Sequence, residues 1–212
     1  MSDMNKEQKL LKEAAIDFAS RESGVARMRR LMDATPAFER GMWRRMAALG
    51  WMGMLIPESH GGLQLGLADL AAVVEPLSAQ LFPEPLAAAT LACRAIALGD
   101  NASLQQSLLP RLGSGECIAA LAWQENEDHV QAQQCATTAR RTATGWSLDG
   151  AKRFVVPGDL VDGFVVSAAE AEGVCLYWVP SSAPGLSITL EPRADGGRTA
   201  ALKLTAVAVD AG

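Results

Sequence analysis

Apolar residues return every three or four positions along the first half of this chain, whereas in the second half they come in short runs broken by turn residues. From Lys6 to Glu22 the positions Leu10, Leu11, Ala14, Ala15, Phe18 and Ala19 share one face, with lysines and acids between them, and so predict an amphipathic helix. Thr35 before Pro36 offers an N-cap and a first-turn proline. Phe38, Met42, Met46 and Leu49 then form one stripe, which Gly50 closes. Pro57 to Gly62 reads as a loop, with His60 part of the Gly61-Gly62 turn. Leu67 to Gln80 predicts a helix with a bend or break near Pro76, whose ring clashes inside an unbroken one. Leu86 to Leu98 is apolar nearly all round, the signature of a central, buried helix. Asn101 can cap a last short helix through Leu104, Leu108 and Leu109, ended by Pro110 and Gly113.

After Gly115 the period changes. Cys117 to Trp123, Cys135 to Arg141, Trp146 to Leu148, Arg153 to Val156, Phe164 to Ala168, Val174 to Val179, Leu186 to Leu190 and Ala200 to Val209 read as strands. Thr144-Gly145, Asp149-Gly150, Pro157-Gly158, Asp162-Gly163, Pro184-Gly185 and Gly196-Gly197 are the turns expected between them. The fold class that follows is α+β: an N-terminal all-α helix bundle over residues 1–115, then an antiparallel β-barrel or sandwich over residues 116–212.

Composition narrows the functional classes. The 212 residues are 49% hydrophobic and 20% charged, with no apolar run long enough to span a bilayer and no export signal at the start, so a cytoplasmic protein without a membrane span is expected. Net charge is −5, and the basic clusters Arg27-Met28-Arg29-Arg30, Arg44-Arg45 and Arg140-Arg141 are short, which argues against nucleic acid and reads them as solvated faces. Cys93, Cys117, Cys135 and Cys175 are widely spaced without a paired histidine, so reduced, buried thiols are expected rather than a metal site or a disulfide framework. No glycine-rich phosphate loop joins a strand to a helix.

Three phrases carry more. Leu49-Gly50-Trp51-Met52-Gly53-Met54-Leu55-Ile56-Pro57-Glu58-Ser59-His60-Gly61-Gly62, then Leu109-Pro110-Arg111-Leu112-Gly113-Ser114-Gly115-Glu116, then Gly145-Trp146-Ser147-Leu148-Asp149-Gly150-Ala151-Lys152 stand in the order in which similar phrases stand in the acyl-CoA dehydrogenase family. The chain resembles the family's N-terminal helical and middle β domains along essentially its whole length. The resemblance implies an FAD-dependent oxidation of an acyl-CoA thioester between Cα and Cβ, in fatty acid metabolism. It also implies a third, helical domain that follows position 210 in the family, mediates oligomerisation and carries the glutamate that removes the α proton. No residue of this chain is therefore assigned as a catalytic acid or base.

Two family motifs are altered here. On the flavin-facing pattern Thr-Glu-Pro-x-Ala-Gly-Ser-Asp falls Gln124-Glu125-Asn126-Glu127-Asp128-His129-Val130-Gln131, in which only the glutamate is retained. The Gln124 amide can still donate to and accept from a flavin edge. His129 and Val130 occupy the substrate-facing turn, where a small Ala-Gly-Ser sequence admits the thioester in the family. On Trp-Ile-Thr-Asn-Gly falls Phe154-Val155-Val156-Pro157-Gly158, which keeps an aromatic ring and loses the hydroxyl; Pro157 has no N–H to offer.

The implied flavin wall is Trp123, Gln124, Phe154, Val155 and Val156, with FAD bound weakly or lost. Trp123, at the end of an apolar run, reads equally as core, and His129 more simply as a solvated loop residue. Glu125 and Asp128 form an acid–base pair only if another element faces them. Two functional readings stand. One is a dehydrogenase-like chain completed by a third domain or a partner, in a homo- or hetero-oligomer with acyl-CoA dehydrogenase-like subunits. The other is a degenerate, non-catalytic subunit that stabilises an active flavoprotein partner.

Overall fold

The computed structural model describes residues 4–22, 25–128 and 131–210. The first helix, α1 (Lys6–Glu22), follows the predicted stripe: Ala15 and Ala19 are buried and Phe18 packs beside them. Its start is closed reciprocally, with Gln8 N donating to Asn5 Oδ1 at 2.8 Å and Asn5 N donating to Gln8 Oε1 at 3.2 Å. A second helix, α2 (Val25–Met32), holds the arginine cluster.

That cluster departs from the expected solvated face at one position. Arg27, its side chain only 10% exposed, packs against Glu84, whose side chain is 0% exposed, and also reaches Glu39 at 3.0 Å. Arg29 and Arg30 remain exposed. A burial that depends on an acid 57 positions away leaves no periodic trace around Arg27.

The next helix, α3 (Arg40–Ala48), begins later than Thr35-Pro36 suggests, with Glu39 at the N-cap position. Residues before it are held by tertiary contact instead: Ala37 N donates to the buried Asp159 carboxylate at 2.7 Å. Gly50, at φ +80, ends the helix and turns the chain into the buried run Trp51 to Ile56. Gly62 is required by close approach, because a Cβ there would lie 2.1 Å from the Ile56 carbonyl oxygen. α4 (Leu67–Ala79) runs through Pro76 without the expected break. α5 (Leu86–Leu98) and α6 (Ala102–Gly113) follow, and Leu104 N donates to Asn101 Oδ1 at 2.8 Å as the cap predicts. Pro110 lies inside α6 rather than ending it. Although α5 is central, Leu91 and Leu98 on its outer side are exposed.

Among the described residues seven strands form one curled, half-barrel sheet: β1 (Ala119–Ala122), β2 (Thr138–Arg141), β3 (Gly145–Val155), β4 (Gly163–Ala169), β5 (Val174–Pro180), β6 (Leu186–Pro192) and β7 (Arg198–Asp210). The α+β class holds. The sheet is mixed rather than purely antiparallel, since β1 and β4 pair in parallel, as do β2 and β4 at Thr138 and Ala169. The helical half covers this part of the sheet: Ile56, Cys93, Ile96 and Leu109 share a core with Ala119 and Val165.

Asp149-Gly150 is not a turn. It is a bulge inside a single continuous β3, where the register against β7 shifts between Leu148 and Gly150. Gly150 has φ +151, and Asp149 Oδ1 accepts from Ala206 N at 2.8 Å, which satisfies the interrupted ladder. Asp162 joins the two halves by accepting from Arg40 at 2.9 Å and from Ile118 N at 2.8 Å. Among the described residues no helix is long and apolar enough to cross a membrane.

Candidate cofactor wall at the ends of β1 and β3

β1 leads into Trp123-Gln124-Glu125, and β3 ends at a second bulge, between Lys152 and Val155, where Phe154 adopts φ +56. These two stretches, more than 25 residues apart in sequence, lie side by side. Arg153 N donates to Gln124 O at 2.8 Å, and Leu121 bridges Val156 in antiparallel fashion. The backbones of both altered motifs are thereby brought together.

A buried ion pair fixes them. Lys152 is 0% exposed and its Nζ donates to Glu125 Oε1 at 2.7 Å and to Ser167 Oγ at 2.9 Å, with Trp123 O at 3.4 Å. Glu125 also accepts from Thr137 N at 2.8 Å, Thr137 Oγ1 at 2.7 Å and Ala136 N at 2.7 Å. Burial alone would raise its pKa, but the hydrogen bonds from Lys152, Thr137 and Ala136 outweigh this and bring it from the ordinary 4.5 to about 2. Glu125 is therefore an ionised structural anchor at neutral pH and has no capacity to act as an acid–base partner of Asp128, which is exposed.

The expected wall residues divide. Trp123 is half-buried and lines a cavity of about 480 Å³ with Leu121, Ser167, Val174 and Leu176. Val156, also half-buried, faces other cavities, of about 310 and 200 Å³, which Phe82, Glu84 and Pro85 border. Val155 is 1% exposed in the sheet core, so only its backbone is left for contact with a ligand. Phe154 is half-buried and stacks under the Arg153 guanidinium at 4.8 Å. Gln124 Nε2 donates to Asn126 O at 3.2 Å, and its amide lies at the surface end of the junction. His129 and Val130 lie outside the described residues.

FAD can be tested against these groups. The converging backbones, the Gln124 amide and the Phe154 ring suit a flavin edge. Where the resemblance implies a polar contact, Val156 has no hydroxyl and offers only its backbone N–H, and Pro157 has no N–H. The fit is retained in the frame and reduced in the side chains. Thr137 and Ser167, which help build the frame, were not singled out from the sequence, and Cys135 was expected there only as a buried thiol, whereas it is half-buried. The legible signal was Glu125, kept inside an otherwise replaced motif, and Lys152, at the end of the third phrase.

Known proteins resemble this chain in sequence and in fold. Residues 5–116 match the family profile described as acyl-CoA dehydrogenase, N-terminal domain. Acyl-CoA dehydrogenase FadE27 of Mycobacterium tuberculosis is 31% identical over 177 residues, which cover 82% of this chain and 46% of that protein. The ChsE4–ChsE5 complex of the same organism superposes with a TM-score of 0.89 at 24% identity, over 99% of this chain and 56% of that one. An acyl-CoA dehydrogenase complexed with FAD from Bacillus anthracis superposes with a TM-score of 0.83 at 24% identity, over 98% and 37%. The chain spans about half the length of the curated relatives it matches. It belongs to the acyl-CoA dehydrogenase family.

Proposed function

We propose that this chain provides the helical and β portions, divided at 115/116, of an assembly for FAD-dependent α,β-dehydrogenation of an acyl-CoA thioester in the cytoplasm. None of its residues is assigned as the catalytic acid or base. The observation that carries this reading is the Glu125–Lys152 anchor, which keeps the two flavin-contact segments side by side although their side chains have changed. Trp123, Gln124, Phe154 and Val156, with the backbone of Val155, are the groups that would hold the flavin, and His129 and Val130 would border the thioester. FAD, when bound, supplies the acceptor for the hydride leaving Cβ. This chain's residues position the ring and exclude water from it, while the base that takes the Cα proton comes from a further helical domain or from a partner subunit. The solved ChsE4–ChsE5 pairing supports a hetero-oligomer as the setting.

The second reading, a non-catalytic subunit that stabilises a flavoprotein partner, is favoured by Val156 and Pro157, which remove polar contacts to the ring. Titration of the purified protein with FAD separates the two. A near-stoichiometric flavin band after gel filtration supports the first reading. Protein that takes up no added FAD, and acquires a flavin band only in complex with a flavin-loaded partner, supports the second and overturns the first.

A further inference from the structure

Cys135 lies beside the buried anchor, and nothing in the dehydrogenation uses it. Its Sγ is 3.4 Å from Lys152 Nζ, 3.4 Å from Glu125 Oε1, 3.4 Å from Thr137 O and 3.8 Å from Ser167 Oγ. Among the described residues the other cysteines differ. Cys93 and Cys117 are each 3% exposed, and burial raises both thiols, to about 12 and about 11. Cys175 is exposed, but its neighbour is the Glu170 carboxylate, which raises its pKa. Cys135 thus combines partial exposure with an ammonium in van der Waals contact.

We infer that Cys135 and Lys152 are an oxidisable pair that dioxygen converts into a covalent bridge, sulfur to oxygen to nitrogen. The Cys135 thiol and the Lys152 ammonium together give up four electrons to O2, two from sulfur and two from nitrogen. The S–H bond and two N–H bonds break, and S–O and O–N bonds form. One oxygen atom stays in the bridge, the other leaves as water, and one proton is released to solvent. An inserted oxygen holds sulfur and nitrogen further apart than a direct S–N bond would, so less movement is demanded of a lysine fixed by Glu125 and Ser167 in a close-packed interior. The Thr137 and Ser167 hydroxyls lie beside the pair and can relay the departing proton.

Bridging would take the ammonium donor from Glu125, which keeps the neutral donors Ala136 N and Thr137 N. The junction of β1 and β3 would then respond to oxidant, whichever reading of flavin binding holds.

The test is peptide mapping of the full protein, prepared without oxygen and then held in oxygen-saturated buffer. The expected result is a linked pair of tryptic peptides, residues 112–140 joined to residues 142–153 with cleavage blocked at Lys152. Their combined mass should be raised by one oxygen less two hydrogens, and dithiothreitol should return both peptides. Cys135→Ser should abolish the link, and Cys175→Ser should leave it intact. Three results overturn the inference: free Lys152 peptides after oxygen exposure, Cys135 oxidised to sulfinic acid without linkage, or a linked mass that survives Cys135→Ser. Mass is read on protein with or without flavin, so failure here is distinct from failure of FAD to bind.

Discussion

Lys152 and Glu125 meet at 2.7 Å with the lysine wholly buried, and through this contact the strand carrying Phe154 is tied to the segment carrying Trp123 and Gln124. An ion pair in that position contributes less to net stability than to register: it fixes which residues of β3 lie beside the end of β1. Removing Glu125 leaves the Lys152 charge buried without its carboxylate, and removing Lys152 takes from Glu125 its ammonium donor. Lys152→Met and Glu125→Ala are each expected to lower unfolding free energy by about 3–5 kcal/mol. The double variant should lose less than the sum of the two. Urea denaturation of all four proteins in a double-mutant cycle measures this, and simple additivity would show that the pair is not coupled.

Acid should act through the same carboxylate. The folded-state pKa of Glu125 is depressed to about 2 from 4.5, so its contribution is fully present above the unfolded value and is lost as pH falls through the interval down to about 2. Stability measured by thermal melts should therefore decline below about pH 4.5. Glu125→Gln should flatten that decline, while leaving the neutral-pH protein less stable.

Gly150 marks the β3 bulge, and a Cβ there would come within 2.6 Å of Thr137 Cα at a φ of +151. Gly150→Ala is expected to cost about 1–3 kcal/mol by overpacking. Thr137 donates twice to Glu125, so the substitution should also disturb the anchor. Loss of Glu125's depressed pKa in this variant, read from the acid limb of its stability curve, would reveal that coupling.

Val156→Thr restores a hydroxyl at the position where the resemblance implies a flavin contact. One added hydrogen bond is worth about 1 kcal/mol, so FAD should bind roughly fivefold tighter. Equilibrium titration by flavin fluorescence reads the change. Unaltered affinity would place the flavin away from Val156.

Thiol accessibility should separate the cysteines without any assumption about function. Under native conditions Cys175 should react first with a disulfide reagent and Cys135 more slowly, while Cys93 and Cys117 should stay protected until unfolding. Site-resolved labelling followed by mass spectrometry reports the order.

Much of the helical half was legible because its packing is periodic. Lys6 to Glu22 and Leu86 to Leu98 appear in the fold with the bounds their apolar spacing gives, and Asn101 caps as its chemistry suggests. The change from helical to strand period after Gly115 was equally plain, with α6 ending at Gly113 and β1 starting at Ala119. The candidate site was legible only as two altered motifs, since a gapless comparison of phrases shows which side chains changed but not what supports them.

Local pattern by itself determined the α+β order, the apolar faces of the long helices and the approximate position of most strands. Tertiary structure decided what local spacing does not encode. Arg27 is buried because Glu84 comes to meet it, and Asp149-Gly150 lies within a strand because β7 and Thr137 lie against it. Lys152 can sit in the interior because Ser167 of β4 and, from the segment after β1, Glu125 and the Trp123 carbonyl replace its water. A charge is tolerated inside a protein only when distant groups satisfy it, so the anchor appears only once the chain has brought those groups together.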